Sequence, residues 1–207
     1  MRFTFLLCLL TTTLVHAQQS TSAPEPSSST APADDAPTVV KLASQKVTIP
    51  AAQIPLTTLD GKDVRLGDHD AKVVVVSLWS TISPEHSVLK YLEGLHKSYR
   101  GSKDVVVLAI NVDMPKNADD MAVIREIAKE MGVTYPMLID KELKLLALSN
   151  ERLRPEGMER NTFTLPPFLL FSRKFEKMEQ PSRITAEKDE EIVKELRKEV
   201  ERVRQRK

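Results

Sequence analysis

The stretch MGVTYPMLID, residues 131–140, is the most specific guide to the fold of this 207-residue chain. Gly132 comes directly after residues 118–131, whose apolar side chains recur at helical spacing, and glycine is favoured just past a helix end. The apolar residues from Tyr135 to Ile139 then predict a short strand. The stretch therefore predicts a helix, a sharp turn and a strand in immediate succession.

Two continuous apolar runs lie upstream, VVVVSLW at residues 73–79 and VVVLAINV at residues 105–112. Such runs are typical of strands that are covered on both faces of a sheet. The spacing of apolar residues over 89–99 predicts a helix between them, and the Asp60-Gly61 pair predicts a tight hairpin before the first run. Strands that alternate with crossover helices favour an α/β fold with a mainly parallel central sheet.

Downstream of the quoted stretch, PFLLF at residues 167–171 predicts another strand, and a highly charged helix is expected from Ala186 onward. Acidic residues fill the first turn of that helix and basic residues its last, as the helix dipole favours. Its narrow apolar stripe consists of Ile192, Leu196, Val200 and Val203. This order of elements resembles a thioredoxin-like domain with an extra strand and helix inserted before the last hairpin.

The N-terminal residues predict export. Residues 1–17 combine a basic start, an apolar run and small residues before a cleavage site after Ala17, which is the pattern of a secretory signal peptide. The apolar run, residues 3–15, is shorter than the roughly 20 residues of a membrane span, so a permanent anchor is the weaker alternative. Residues 18–40, rich in Ser, Pro and Ala, predict a disordered linker, which leaves 41–207 as the globular domain.

Composition limits the classes of function. Hydrophobic residues make up 41% and charged residues 29% of the chain, as in a soluble globular domain. Thirty basic and 29 acidic residues give a formal charge of +1, which disfavours binding to nucleic acid or to an anionic membrane. The single cysteine, Cys8, lies within the predicted signal peptide, so the mature chain is expected to contain no thiol.

The motifs resemble the TlpA and ResA branch of the thioredoxin superfamily, exported thiol-disulfide oxidoreductases that are also grouped as redoxins. The resemblance covers about residues 54–206. The matching stretches are IPLTTLDGK (54–62), VVSLWST (75–81), MGVTYPMLID (131–140) and LPPFLLF (165–171). The resemblance implies a thioredoxin-like fold in which the bond between Leu165 and Pro166 is cis.

The sequence departs from this family at the active site. The family places Trp-x-x-x-Cys-x-x-Cys after its first core strand, and residues 79–86 here read WSTISPEH. Ser83 and His86 stand at the positions of the two cysteines, and a thiolate is needed to attack a disulfide. We therefore expect no redox catalysis. A serine nucleophile is the weaker hypothesis, because Ser83 followed by Pro84 and Glu85 is what an ordinary helix start needs.

The resemblance also implies a groove that holds a substrate polypeptide, between the loop after the first core strand and the proline loop. The candidate groove residues are Trp79, Ile82, Leu165 and Pro166, with Phe163 beside them. Core packing is the alternative role for Trp79. The three histidines outside the signal, at positions 69, 86 and 96, lack the spacing of a metal site, so neither metal nor cofactor is expected.

Three functional interpretations remain open. The first is a module that binds a polypeptide or partner protein without disulfide chemistry. The second is an accessory component of thiol-disulfide exchange or cytochrome maturation, in which a partner supplies the thiols. The third is a structural spacer. We expect a protein or peptide partner, a monomeric chain, a periplasmic or extracellular location and, after signal cleavage, no membrane span.

Overall fold

The computed structural model describes residues 46–69, 71–83, 86–153, 165–181, 184 and 188–206. All of them belong to one compact unit, Ala36–Lys207. The predicted signal peptide and linker lie outside the described residues, as do Phe163, Pro84 and Glu85.

The described part of the chain contains seven strands and four α-helices. The strands are β1 (Pro55–Thr58), β2 (Asp63–Arg65), β3 (Val73–Trp79), β4 (Val105–Asn111), β5 (Met137–Ile139), β6 (Leu169–Ser172) and β7 (Met178–Glu179). The helices are α1 (Ser87–Ser98), α2 (Ala118–Glu130), α3 (Lys144–Leu153) and α4 (Asp189–Arg204). Within these residues no helix has the length and hydrophobicity that a bilayer crossing requires.

The strands form one sheet in the order β2-β1-β5-β4-β3-β6-β7. Its centre is parallel, with β4 between β3 and β5, whereas β1 and β6 pair with this centre in the antiparallel sense. In the β3–β4 register Val73 pairs with Val105 and Trp79 with Asn111. The predicted α/β fold is confirmed, with α2 and β5 as the helix and strand expected before the last hairpin, whereas helix α3 was not predicted.

The core consists of two hydrophobic clusters, and the apolar residues along β3 belong alternately to one cluster and to the other. Val74, Val76 and Leu78 belong to one cluster, which also contains the apolar side of α3. Their neighbours on β3 belong to the other, which contains the stripe of α4 that the sequence predicted. Helix α1 approaches α4 closely at Gly94, where a Cβ atom would lie 3.0 Å from Cγ2 of Val193.

The MGVTYPMLID stretch folds as the sequence predicts. Gly132 follows the C-cap of α2 with φ of +66°, the left-handed conformation that favours glycine. At its other end, Asp140 accepts hydrogen bonds from the backbone N–H groups of residues 144, 145 and 146 at 2.9, 2.8 and 3.0 Å. Asp140 is completely buried, and burial raises its pKa to about 6 in spite of these bonds. Its carboxylate thus caps the start of α3.

Candidate functional site

The loop that follows β3 is held in place by Asp113, which follows β4. Its carboxylate accepts hydrogen bonds from the Ser80 hydroxyl, from Thr81 N–H at 2.7 Å and from Asn111 Nδ2 at 2.8 Å. The bonds are possible because β3 and β4 are parallel neighbours and end at the same edge of the sheet. The described part of the loop is therefore fixed by one carboxylate on the neighbouring strand end.

Ser83 is not the N-cap of the following helix, so this expectation is wrong. The N–H of Ser83 donates to the carbonyl of Ser80 at 3.2 Å, which closes a turn within the loop. Helix α1 begins only at Ser87, and His86 occupies the N-cap position without a capping side-chain bond. Helix α1 thus begins four residues after Ser83.

The His86 ring packs against the base of the loop. Its Nε2 atom lies 3.3 Å from the carbonyl oxygen of Ser80, and the ring meets Trp79 edge-on with centroids 5.8 Å apart. The described residues place no carboxylate in hydrogen-bond contact with this imidazole. The part of the site that the structure describes therefore does not assemble a nucleophile, base and orienting acid of the hydrolase type.

Trp79 combines core packing with a place at the site. It is 2% exposed and packs in the cluster that contains α1 and α4. Its indole Nε1 atom is buried without a hydrogen-bond partner among the described residues. The same side chain also lines a cavity of about 210 Å³ beside α1. The expected core role and the expected groove position are therefore compatible.

Two adjoining cavities form what we call the α1 groove. The first, of about 210 Å³, lies between the end of β3, helix α1 and the proline loop, and includes Leu165. The second, of about 300 Å³, shares Tyr91, Pro167 and Phe168 with the first and extends to Ile192 on α4. The two cavities adjoin at these shared residues, and both are largely apolar.

A third cavity, of about 440 Å³, opens on the other side of Ser83 and Leu165, which also line the α1 groove. We call it the Asp113 cavity. Its wall includes Ile82, Val112, Asp113 and Leu146. Ile82 is 90% exposed at its rim, on the loop that Asp113 holds.

The expected cis bond between Leu165 and Pro166 is wrong. The described residues contain no cis peptide bond, and Pro166 is buried and lines neither the α1 groove nor the Asp113 cavity. A trans X-Pro bond is favoured by about 0.5–1 kcal/mol, and Pro167 biases Pro166 toward an extended backbone. Leu165 and Pro167 line the groove although the bond between Leu165 and Pro166 is trans.

Sequence reasoning missed several residues of this region. The hold of Asp113 on the β3 loop could have been inferred from two parallel strands that end together. Tyr91 and Phe168 were assigned to a helix and a strand without a role in the groove. Leu146 comes from α3, a helix that the sequence did not reveal. No group of three potential metal ligands occurs among the described residues.

Comparison with known proteins agrees with this architecture. Residues 47–167, more than half of the chain, match the AhpC/TSA family. The thiol-disulfide oxidoreductase ResA of Geobacillus kaustophilus is 31% identical over 101 residues, which are 48% of this chain and 55% of that protein. The chain thus spans about half the length of the curated relatives that it matches.

Solved structures show the same fold at low identity. MTB dsbF, determined in mixed oxidized and reduced forms, superposes with a TM-score of 0.51 and 16% identity over 75% of this chain and 99% of that one. A protein of Aquifex aeolicus VF5 superposes with a TM-score of 0.52 and 17% identity over 75% and 94% of the two chains. These likenesses establish the thioredoxin-like fold.

Proposed function

Because the chain belongs to the AhpC/TSA family and has a ResA-like thioredoxin fold, we propose that it binds a polypeptide without disulfide chemistry. The proposed binding face lies between the loop after β3 and the proline loop. Ser83 and His86 occupy the positions at which the family resemblance places cysteines, and Cys8 is the only cysteine in the 207 residues. Dithiol-disulfide exchange within one chain needs two thiols. The chain therefore keeps the binding face and lacks the reacting sulfur atoms.

The observation that carries the proposal is the exposure of Ile82. This side chain is 90% exposed on a loop that Asp113 fixes, and it borders a cavity of about 440 Å³. The other large exposed hydrophobic residue among those described is Val123, which lines none of the described cavities. Covering an exposed isoleucine stabilises a complex by about 1.5–3 kcal/mol, which favours an apolar partner segment at this place.

A matched pair of variants tests the proposal. Ile82→Glu puts a charge at the rim of the cavity, and Val123→Glu makes the same change on α2. The affinity of each chain for an unfolded polypeptide that has been reduced and alkylated would be measured on a biosensor surface. Because the isoleucine contact is lost, the affinity of Ile82→Glu for the polypeptide should be at least about tenfold lower than that of the native chain. The affinity of Val123→Glu should be unchanged. Equal affinities for both variants would contradict the proposal.

The names of the relatives favour a second candidate function. ResA is a thiol-disulfide oxidoreductase, so this chain could act as an accessory component of thiol-disulfide exchange or cytochrome maturation, with thiols from a partner. Reduction of insulin by dithiothreitol distinguishes the two. A binding module leaves the rate unchanged, whereas an accessory component accelerates it once its thiol-bearing partner is added. A structural spacer neither binds the alkylated polypeptide nor changes this rate.

We also infer export of a monomeric chain, with residues 1–17 as the cleaved signal, 18–40 as linker and 41–207 as the binding domain. Support comes from the sequence pattern of the N-terminus, which lies outside the described residues. The inferred location is the periplasm or the extracellular space.

A further inference from the structure

We infer that the bound polypeptide places a lysine or arginine side chain in the Asp113 cavity, with its aliphatic stem on the apolar wall and its cation on the Asp113 carboxylate. This inference rests on the proposed function, because the cavity opens beside Ile82. It adds the chemical class of the partner segment, which is basic and apolar rather than acidic.

The wall of the Asp113 cavity suits an aliphatic stem. Val112 is 8% exposed and Leu146 is completely buried, and both belong to the core cluster that contains α3. Leu165 closes the side toward the α1 groove. Lysine and arginine bury their methylene groups against apolar surface while the charged head keeps polar contacts. The cavity offers both kinds of surface within about 440 Å³.

The carboxylate of Asp113 has room for a cation. Its Oδ1 atom accepts from the Ser80 hydroxyl, and its Oδ2 atom accepts from Thr81 N–H and Asn111 Nδ2. A carboxylate offers about four acceptor positions, so one position on Oδ1 remains. All three donors are neutral, and the described residues place no lysine, arginine or histidine in ion-pair contact with Asp113. A cationic donor forms the stronger, charge-assisted hydrogen bond.

The carboxylate is also preorganised. Asn111 is completely buried, and its Oδ1 atom accepts from the N–H of Asp113 at 3.0 Å while its amide donates to the carboxylate. The two residues therefore hold each other at the end of β4. A preorganised acceptor binds an incoming cation with little additional loss of conformational freedom. An acidic partner side chain meets an unneutralised negative charge at the same place.

Three capped peptides of sequence Ala-Leu-X-Leu-Ala test the inference, with lysine, norleucine or glutamate at X. Each is titrated into the full chain, and binding is followed by the methyl NMR signals of Val112 and Leu146, with those of Val123, which lines none of the described cavities, as reference. We expect the lysine peptide to bind about fivefold to tenfold more tightly than the norleucine peptide, and the glutamate peptide most weakly. The lysine advantage should shrink between 20 and 500 mM salt, roughly as the Debye length shortens.

Variants assign the preference to one carboxylate. Asp113→Asn should lose the lysine advantage: the ratio of the affinities for the lysine and norleucine peptides should fall to about one, whatever change the substitution causes in the affinity for the norleucine peptide itself. Asp120→Asn, which changes an exposed carboxylate at the start of α2, should keep it. The salt series on the native chain tests whether the preference is ionic, without any substitution at the loop.

The outcomes separate this inference from the proposed function. If the native chain binds all three peptides with equal affinity at every salt concentration, the role of Asp113 is overturned and polypeptide binding stands. If the lysine advantage persists in Asp113→Asn, the cation is held elsewhere and the inference is again overturned. If none of the peptides binds and the alkylated polypeptide also fails to bind, the proposed function and the inference are both wrong.

Discussion

Replacing Asp140 by asparagine tests whether burial or hydrogen bonding has the larger effect on the pKa of the carboxyl group at the start of α3. This group is completely buried and accepts three backbone N–H bonds of 2.8 to 3.0 Å. Burial opposes its ionisation and raises the pKa from 3.8 to about 6, although the three bonds act in the opposite direction.

The raised pKa makes the stability of the native chain depend on pH. Between pH 4 and 6 the folded carboxyl group keeps a proton that the unfolded chain releases, so the free energy of unfolding falls as the pH rises. The difference between 3.8 and about 6 corresponds to roughly 3 kcal/mol. This stability is fully present below pH 4 and is lost above pH 6. Asparagine does not titrate, so the variant lacks this contribution.

The comparison between the two chains therefore changes with pH. At pH 4, Asp140→Asn should be less stable than the native chain by about 1–3 kcal/mol. The amide NH₂ group of asparagine would face a backbone N–H group that donates a hydrogen bond to the native carboxyl group, and it cannot accept this bond. Near pH 7.5 the difference should vanish or reverse, since the native chain then carries a buried charge. Urea unfolding of both chains at several pH values between 4 and 7.5 measures this difference, in which contributions from other titrating groups cancel.

A control and a contrary result complete the test. Asp120→Asn removes a carboxylate that is exposed and should give a difference from the native chain that is small and nearly constant with pH. If the native chain gains stability over Asp140→Asn as the pH rises from 4 to 6, the three N–H bonds outweigh burial and the reasoning is refuted.

Three other predictions concern helix packing, the loop after β3 and the N-terminus. Gly94→Ala should destabilise the native chain, because the new methyl group crowds Val193. In the Val193→Ala chain the same substitution should stabilise the fold by about 1 kcal/mol. Urea unfolding measures both effects, and additive effects of the two substitutions would contradict this prediction. Ser83→Cys combined with His86→Cys should form an intramolecular disulfide and give weak dithiol-disulfide exchange, and failure to pair under oxidising conditions would show that the loop geometry differs from that of the family. The exported protein should not react with a thiol-specific maleimide even when denatured, because Cys8 is removed with the signal; a labelled mature chain would disprove the cleavage.

The fold was predictable where burial alone dictates the residue pattern. Strand β3 is buried at every position, so its sequence is a continuous apolar run, and α4 buries the stripe that its periodicity marks. Gly132 was predictable because the left-handed residue after α2 needs a glycine. These features depend on local chemistry and on one buried face, which the sequence displays directly.

The site was less predictable because it depends on contacts between distant parts of the chain. The loop before α1 is held by Asp113, which lies 30 positions beyond Ser83, and α1 begins only at Ser87. The Leu165–Pro166 bond was expected to be cis from the family resemblance, whereas the two consecutive prolines here suit an extended trans loop. Leu146 reaches the Asp113 cavity from α3, which was not predicted, and its position follows from packing that no local pattern encodes.

The fluorescence of Trp79 tests the central claim most directly, because it is the only tryptophan in the chain and lines the α1 groove. The native protein would be titrated with an unfolded polypeptide that lacks tryptophan and whose cysteines are all alkylated. Polypeptide binding without disulfide chemistry predicts a saturable change in Trp79 emission that is identical in oxidising and reducing buffer. An emission that does not change, or that changes only with a polypeptide carrying free thiols or disulfides, would contradict the account.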